Sequence, residues 1–367
     1  MNLFQGQAMF RLGSDNRASS ARGVHHLQSA RRDRQETTLS TKALLYAAGA
    51  LALAACSPPT EPTVANHAAE ALLVQPGLVQ VRVDTEVAFV RYTSNSRNIF
   101  TAHADGSAQT QLTFGDGAVS QSPGFSRDGS RIAFAHEDDL ITAMSIQVMN
   151  SSGSGVTTLE YAPLGYQDDE PTWGPPFLAP WGDQIAFTRY NANRTRSDIY
   201  KIRGSATTGT WAAIALTNNG VSAKPAWSPD GSKIAYVSQG AGCGKGIYLM
   251  NPDGTAQTRW SPCGLDADMP AWSPDGLKIA FVNQNVTEIC VANVNAGGVL
   301  TFCTSGLEFP IERGKELAWY PDGTKIAFGK EGVIYALRLS DGQISPLINI
   351  FAGAWMPTVG VVTTKQF

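Results

Sequence analysis

Residues 225–236 read PAWSPDGSKIAY, and residues 270–281 read PAWSPDGLKIAF. Looser copies stand at 123–134 (PGFSRDGSRIAF) and 317–328 (LAWYPDGTKIAF). A phrase recurring at a fixed period marks one supersecondary unit copied along the chain. Within each copy, the A-W-S segment reads as a short aromatic strand. The P-D-G that follows is turn chemistry: Pro presets φ, Asp caps its own backbone, and Gly takes φ > 0. The I-A-F segment is a second, apolar strand. Downstream, Gly246-Ile247-Tyr248-Leu249-Met250 reads as a third strand. The turn Asn251-Pro252-Asp253-Gly254 then leads to a fourth strand around Thr258-Arg259-Trp260. Four antiparallel strands per repeat is the blade of a β-propeller.

The central Ala of the second strand falls at Ala88, Ala133, Ala186, Ala235, Ala280 and Ala327, in steps of 45, 53, 49, 45 and 47 residues. This predicts an all-β, six-bladed propeller. The third copy is degenerate: residues 178–187 read LAPWGDQIAF, with Trp181 where the others carry Asp. The first copy lacks its A-W-S strand, and residues 354–357 (AWMP) supply one at the far end of the chain. The C-terminal strand is therefore expected to close the first blade, which removes exposed sheet edges. The first-strand aromatics form a column, Phe125, Trp173, Trp227, Trp272, Trp319 and Trp355, expected to pack between blades.

The phrase P-x-W-S-P-D-G-x-x-I-A-F resembles the repeat of TolB-type propellers, over about residues 87–357. The resemblance implies the propeller fold and a partner-binding scaffold near the outer membrane. It carries little about chemistry, because such propellers serve many functions. About 30 residues separate Cys56 from the first repeat. That leaves too little chain for the α/β domain expected ahead of a TolB propeller.

Residues 43–56 read ALLYAAGALALAAC, an uncharged and mostly apolar run after Lys42. It is too short for a transmembrane helix and suits a signal-peptide core. Leu53-Ala54-Ala55-Cys56 resembles a bacterial lipoprotein box, with Cys56 as the lipid-attachment residue. The Pro-rich tract at 57–62 that follows makes a good tether. The expected organisation is a signal peptide with a long n-region over 1–55, a lipidated Cys and tether over 56–85, and the propeller over 86–367. Ser57 after Cys56 resembles outer-membrane sorting. The expected location is the bacterial envelope, at the periplasmic face of the outer membrane or the cell surface, with the lipid as membrane partner.

The chain has 28 Lys and Arg against 31 Asp and Glu, and residues 1–55 hold 7 and 3 of them, so the remainder carries 21 − 28 = −7. With no basic run, nucleic acid is not an expected partner. Besides Cys56 there are Cys243, Cys263, Cys290 and Cys303. The turn at 251–254 lies midway between the first two, and Asn295-Ala296-Gly297-Gly298 lies midway between the last two. Each pair thus sits across one hairpin at bridging reach, and the disulfides Cys243–Cys263 and Cys290–Cys303 are expected in an oxidising compartment. No C-x-x-C motif is present, and no zinc site is expected.

No nucleophile elbow, H-E-x-x-H, P-loop or dinucleotide fingerprint occurs. The expectation is a protein without catalytic residues, cofactor or metal. The P-D-G carboxylates Asp128, Asp230, Asp275 and Asp322 are accounted for by their turns. The segments that lead into each first strand carry the divergent polar residues. These are Asp168, Asp169 and Glu170; Lys224; Asp266 and Asp268; and Glu312, Arg313 and Lys315. They are expected as loops around one channel mouth, where they would form a solvated rim or receive an envelope protein or peptide. Two alternatives use the same acidic mouth: a carbohydrate-active enzyme with a carboxylate pair, and a sensor of a cation or small ligand.

Overall fold

The computed structural model describes residues 81–365, apart from 94, 116, 139–140, 175–183, 205–210, 305–316, 331 and 350–353. The signal sequence, Cys56, Trp181, Glu312, Arg313 and Lys315 lie outside the described residues. Among those described, no helix is long and apolar enough to cross a membrane.

Twenty-four strands lie among the described residues. The first three are β1 (Val81–Thr93), β2 (Ser96–His103) and β3 (Thr110–Gln111). Next come β4 (Val119–Phe125), β5 (Arg131–Asp138), β6 (Ile141–Asn150) and β7 (Thr157–Glu160). Then β8 (Tyr166–Trp173), β9 (Gln184–Asn191), β10 (Ser197–Gly204) and β11 (Trp211–Ala215) form one four-stranded sheet. A second comprises β12 (Ala223–Trp227), β13 (Ile234–Gly240), β14 (Gly244–Met250) and β15 (Thr258–Arg259). A third comprises β16 (Ala267–Trp272), β17 (Lys278–Asn283), β18 (Glu288–Asn293) and β19 (Leu300–Cys303). The fourth comprises β20 (Ala318–Trp319), β21 (Lys325–Lys330), β22 (Val333–Arg338) and β23 (Ile344–Asn349). The last strand, β24 (Ala354–Lys365), returns to pair antiparallel with β1, Val90 opposite Trp355. The strand β1 begins at Val81, inside the span expected as tether.

Among the described residues, strand pairing yields four regular four-stranded sheets and one eight-stranded sheet, where the repeat count predicts six separate units. The physical reason is small. In the large sheet, β24-β1-β2-β3 and β4-β5-β6-β7 are joined by one parallel bridge, Arg97 to Val119.

The I-A-F phrase is explained by packing on both faces. Residues Ile279 and Phe281 of β17 join a core cluster with Ala235 and Ile247 of the preceding sheet. Ala280 and Val282, on the other face, join one with Trp319, Ile326 and Phe328 of the following sheet. The same split recurs at Ile326 and Phe328 against Ala327, and at Ile185 and Phe187 against Ala186. A strand buried on both faces reads as a continuous apolar run, and each fully buried Ile or Phe contributes roughly 2–3 kcal/mol. The cluster of Phe89 and Phe100 with Tyr320, Ile334 and Ile348 packs the first strands against the last sheet. The polypeptide is thus an all-β propeller.

The turns behave as their sequence predicts. Asp230 accepts from the Ser228 hydroxyl at 2.6 Å and the Ser232 amide at 3.0 Å, and Gly231 takes φ 72°. Asp128 repeats the geometry with Ser126 and Ser130. The expected disulfides Cys243–Cys263 and Cys290–Cys303 are both formed, and Cys290 stands directly opposite Cys303 in the register of β18 and β19.

Candidate functional site

The first strands β4, β8, β12, β16 and β20 all contribute to one cavity of about 420 Å³. Its wall combines aromatic and proline side chains, Phe125, Trp173, Trp227, Trp272 and Trp319 with Pro171, Pro225 and Pro270, and the polar residues Ser126, Thr172 and Ser228. Glu170 and Lys224 bring charge to one part of the wall, and Arg127 sits by the Ser126–Arg131 turn.

The aromatic column does more than pack between sheets. Each indole tends to tie its strand to the preceding one. The N–H of Trp173 donates to the Gly124 carbonyl at 2.9 Å, that of Trp272 to Ala226 at 3.1 Å, and that of Trp319 to Ala271 at 3.0 Å. Trp227 breaks the series, and its buried N–H finds no acceptor among the described residues. Its ring lies over Gly174, where an added Cβ would fall 3.0 Å from Cε2. Gly174 occupies the place of Ser126, Ser228, Ser273 and Tyr320 in the other copies, so the degenerate third repeat has no side chain where its neighbour's aromatic ring sits.

Four first strands carry a bulge at the same place. The register shifts between Gln121 and Gly124, Asp169 and Thr172, Ala223 and Ala226, and Asp268 and Ala271. The bulged residues Ser122, Glu170, Lys224 and Met269 have φ of 51°, 56°, 55° and 57°, and each precedes a proline. A left-handed non-glycine residue costs of order 1–3 kcal/mol and persists only when its surroundings hold it. Here cross-strand bonds hold three of the four. The Ser122 hydroxyl donates to Asp169 Oδ1 at 2.7 Å. Glu170 Oε2 accepts from the Thr188 hydroxyl at 2.8 Å and the Tyr190 hydroxyl at 3.0 Å. It also accepts from the Lys224 amide at 3.2 Å. Lys224 Nζ reaches Asp268 Oδ1 at 2.9 Å. Met269 instead packs in a core cluster with Leu317.

The acidic residues are therefore not a solvated rim, which corrects the sequence expectation for Asp168, Asp169, Glu170 and Asp268. All four are buried, because they lie at the leading ends of β8 and β16 and not on loops. Asp168 takes a two-pronged grip from Arg189, Nε to Oδ1 at 2.7 Å and Nη2 to Oδ2 at 2.6 Å. Arg189 also pairs with Glu160 at 3.0 Å. Asp169 accepts from Gln121 Nε2 at 2.7 Å and pairs with Arg194 at 2.8 Å. Asp268 receives Lys245 Nζ on Oδ2 at 3.0 Å, in addition to Lys224, and the Met269 amide at 2.8 Å. Asp266 is half-exposed and pairs with Lys245 at 3.2 Å. Glu170 and Lys224 line the cavity, and Asp168, Asp169 and Asp268 do not.

Burial sets the charges apart. Loss of hydration pushes Asp168 up to about 6, although Arg189 pulls the other way. Burial also raises Glu170, with Lys224 opposing. At Asp268 burial works against the charge, but Lys224 and Lys245 outweigh it and hold the carboxyl below its usual range. Glu288, Cys290 and Cys303 place three possible metal-binding atoms within 4.8 Å of one another. The two sulfurs are bonded together, so a single carboxylate remains.

The bulged positions escaped the sequence reading. Their signal was present: the patterns SPGF (122–125), EPTW (170–173), KPAW (224–227) and MPAW (269–272) each set a proline two residues before the aromatic. Proline has no N–H for a ladder, which points to a bulge.

Comparison with known proteins agrees with this geometry. The model of the TolB beta propeller domain matches residues 183–357. The TolB homolog of Chlorobium luteolum is 27 % identical over 175 residues, 48 % of this chain and 36 % of the relative. The match thus spans little more than a third of that relative's length. TolB from Acinetobacter baumannii is similar in structure, with a TM-score of 0.61 at 16 % identity over 75 % of this chain and 66 % of that one. Hydrazine synthase of Kuenenia stuttgartiensis gives 0.58 at 14 % identity, over 78 % and 47 %. At such identities the structural likeness is one of fold alone. The family match covers a little under half of the chain, and with the repeat phrase and the bulged first strands around one cavity it makes this chain similar to TolB-type propellers in sequence over residues 183–357.

Proposed function

We propose that this protein is a non-catalytic scaffold of the bacterial envelope, anchored by lipid at Cys56, which binds a protein or peptide partner. The propeller is read as a ring of six blades, the eight-stranded sheet counting as two. The six core clusters among the described residues support that count, since each draws on two successive strand groups. The observation that carries the functional reading is the cavity. It is rich in aromatic side chains and bounded by strands β4, β8, β12, β16 and β20, which come from all five sheets, with Glu170 and Lys224 at its wall. Tryptophans gathered in a concave pocket are the residues that carry most of the binding energy at protein interfaces. The acidic residues that would serve a glycosidase hold arginines, lysines and backbone amides, which favours binding over turnover. An envelope location fits the relatives' character as TolB proteins, the two disulfides and the lipoprotein box. Mass spectrometry of the protein from its native membrane tests the anchor: a diacylated N-terminal Cys56 is expected, and an unprocessed N-terminus would refute it. Photo-crosslinking in intact cells from Arg127, at the cavity wall, tests the binding role.

A further inference from the structure

Three indoles on the cavity wall are committed to the fold itself. Trp173, Trp272 and Trp319 each donate to the carbonyl of the residue just before the aromatic of the preceding copy, at Gly124, Ala226 and Ala271. By that rule Trp227 would donate to the Thr172 carbonyl, and no such bond forms. Trp227 lines the cavity and is only 7 % exposed, and its buried N–H has no acceptor among the described residues. A buried donor left unpaired costs free energy, and in a native structure it calls for an explanation.

Most of the other polar groups on the wall are occupied. Glu170 Oε2 already takes three donors, the Thr188 and Tyr190 hydroxyls and the Lys224 amide. Lys224 Nζ is held by Asp268. The Ser126 and Ser228 hydroxyls donate to Asp128 and Asp230, and they accept the amides of Arg131 and Lys233. The Gly124, Ala226 and Ala271 carbonyls receive the indoles. A ligand N–H entering beside Trp227 therefore meets few free acceptors, whereas a ligand carbonyl meets an unpaired donor. Among peptide groups the X–Pro unit suits this best, because its tertiary amide accepts a hydrogen bond and has no N–H to strand. Proline-rich segments hold a polyproline II helix with no internal hydrogen bonds, so their carbonyls stand free. Such segments dock in grooves lined by aromatic rings, and Phe125, Trp173, Trp272 and Trp319 supply those rings here.

We propose that Trp227 is a specificity-determining donor of the cavity, which hydrogen-bonds the carbonyl of an X–Pro unit in a proline-rich partner segment. This rests on the scaffold reading and names the partner's chemistry.

A random 12-residue displayed peptide library, selected on the full-length protein, tests it. Enriched peptides should carry proline in excess over the unselected library. Their affinity should fall at least about tenfold with Trp227→Phe, a loss of about 1.4 kcal/mol, because phenylalanine keeps an aromatic ring and lacks the donor. A second readout uses the wild-type protein, so it stands even where the variant folds poorly. With 15N-labelled tryptophan, the Trp227 indole N–H resonance should move downfield on peptide binding. The resonances of Trp173, Trp272 and Trp319, already bonded, should move less. Peptides that enrich without proline, that bind Trp227→Phe unchanged, or that leave the Trp227 resonance in place would overturn this subsite and leave the scaffold reading standing. A chitin or cellulose hexasaccharide that moves the Trp227 resonance, with no peptide enriched, would assign the donor to a sugar hydroxyl and overturn the proposal. If no probe moves it, the donor serves no ligand and the proposal fails. The Arg127 crosslink then judges the scaffold reading separately.

Discussion

Asp268→Asn should be among the most damaging conservative changes in this protein. Asp268 is 8 % exposed at its side chain, and its two oxygens hold Lys224 at 2.9 Å and Lys245 at 3.0 Å. Lys224 is 17 % exposed and Lys245 35 %. Removing one member of a buried pair leaves an uncompensated charge and costs about 3–5 kcal/mol. The outer lysine is well solvated, so its share is discounted toward the ~1 kcal/mol or less of surface pairs. The expected net loss is about 3 kcal/mol. At roughly 2 °C per kcal/mol for a domain of this size, Tm should fall by about 6 °C. Urea unfolding followed by tryptophan fluorescence reads the loss directly. Lys224→Met supplies the control, because Met269 occupies the same bulged position one repeat later at φ 57°. The double variant Lys224→Met, Asp268→Asn removes the stranded ammonium and should recover at least ~1.5 kcal/mol, a non-additive result expected for contacting residues. A loss under ~1 kcal/mol, or strict additivity, would show that the belt between β12 and β16 is not a buried ion pair.

Three further outcomes follow from the same geometry. Replacing either disulfide by a serine pair should cost about 3 kcal/mol, from loops with sequence separations of 20 and 13, measured by unfolding against the oxidised parent. Gly174→Ala sets a Cβ 3.0 Å from the Trp227 ring and 3.3 Å from the Gln184 carbonyl, so it should cost about 1–3 kcal/mol by overpacking, with altered Trp fluorescence. The pH profile should have two limbs. Asp168 titrates near 6 when folded and near 3.9 unfolded. The folded state therefore binds the extra proton in that window, and its contribution to stability grows as pH falls through it. Asp268 is shifted the other way, so its contribution is present above about 3.9 and lost below that pH. Asp168→Asn should abolish the gain between pH 6 and 4, as read by denaturant midpoints.

The fold was largely legible because it is written in short-range chemistry repeated many times. The Pro-Asp-Gly turns, the alternating large and small residues of Ile279-Ala280-Phe281, and the AWMP strand opposite Val90 all follow from local sequence. The cysteine pairs were legible for the same reason, since hairpin register alone sets Cys290 against Cys303. The site was read less well. Asp168, Asp169 and Glu170 looked like a loop because three successive carboxylates rarely enter a strand core. Their partners Arg189, Arg194 and Tyr190 sit on β9 and the β9–β10 turn, about 20 residues away in sequence. Only the register of β8 with β9 brings them into reach. The seat of the Trp227 ring against Gly174, 53 residues earlier, is a coupling no local pattern displays.

The central claim is that the propeller binds a polypeptide and does not turn over a substrate. Photo-crosslinking in intact cells, with a photoreactive residue at Arg127 on the cavity wall, tests this most directly. A discrete, protease-sensitive crosslinked species that disappears when Trp272 is changed to Ala would support the account. The absence of any protein adduct, together with glycan hydrolysis by the purified protein that is lost on Glu170→Gln, would contradict it.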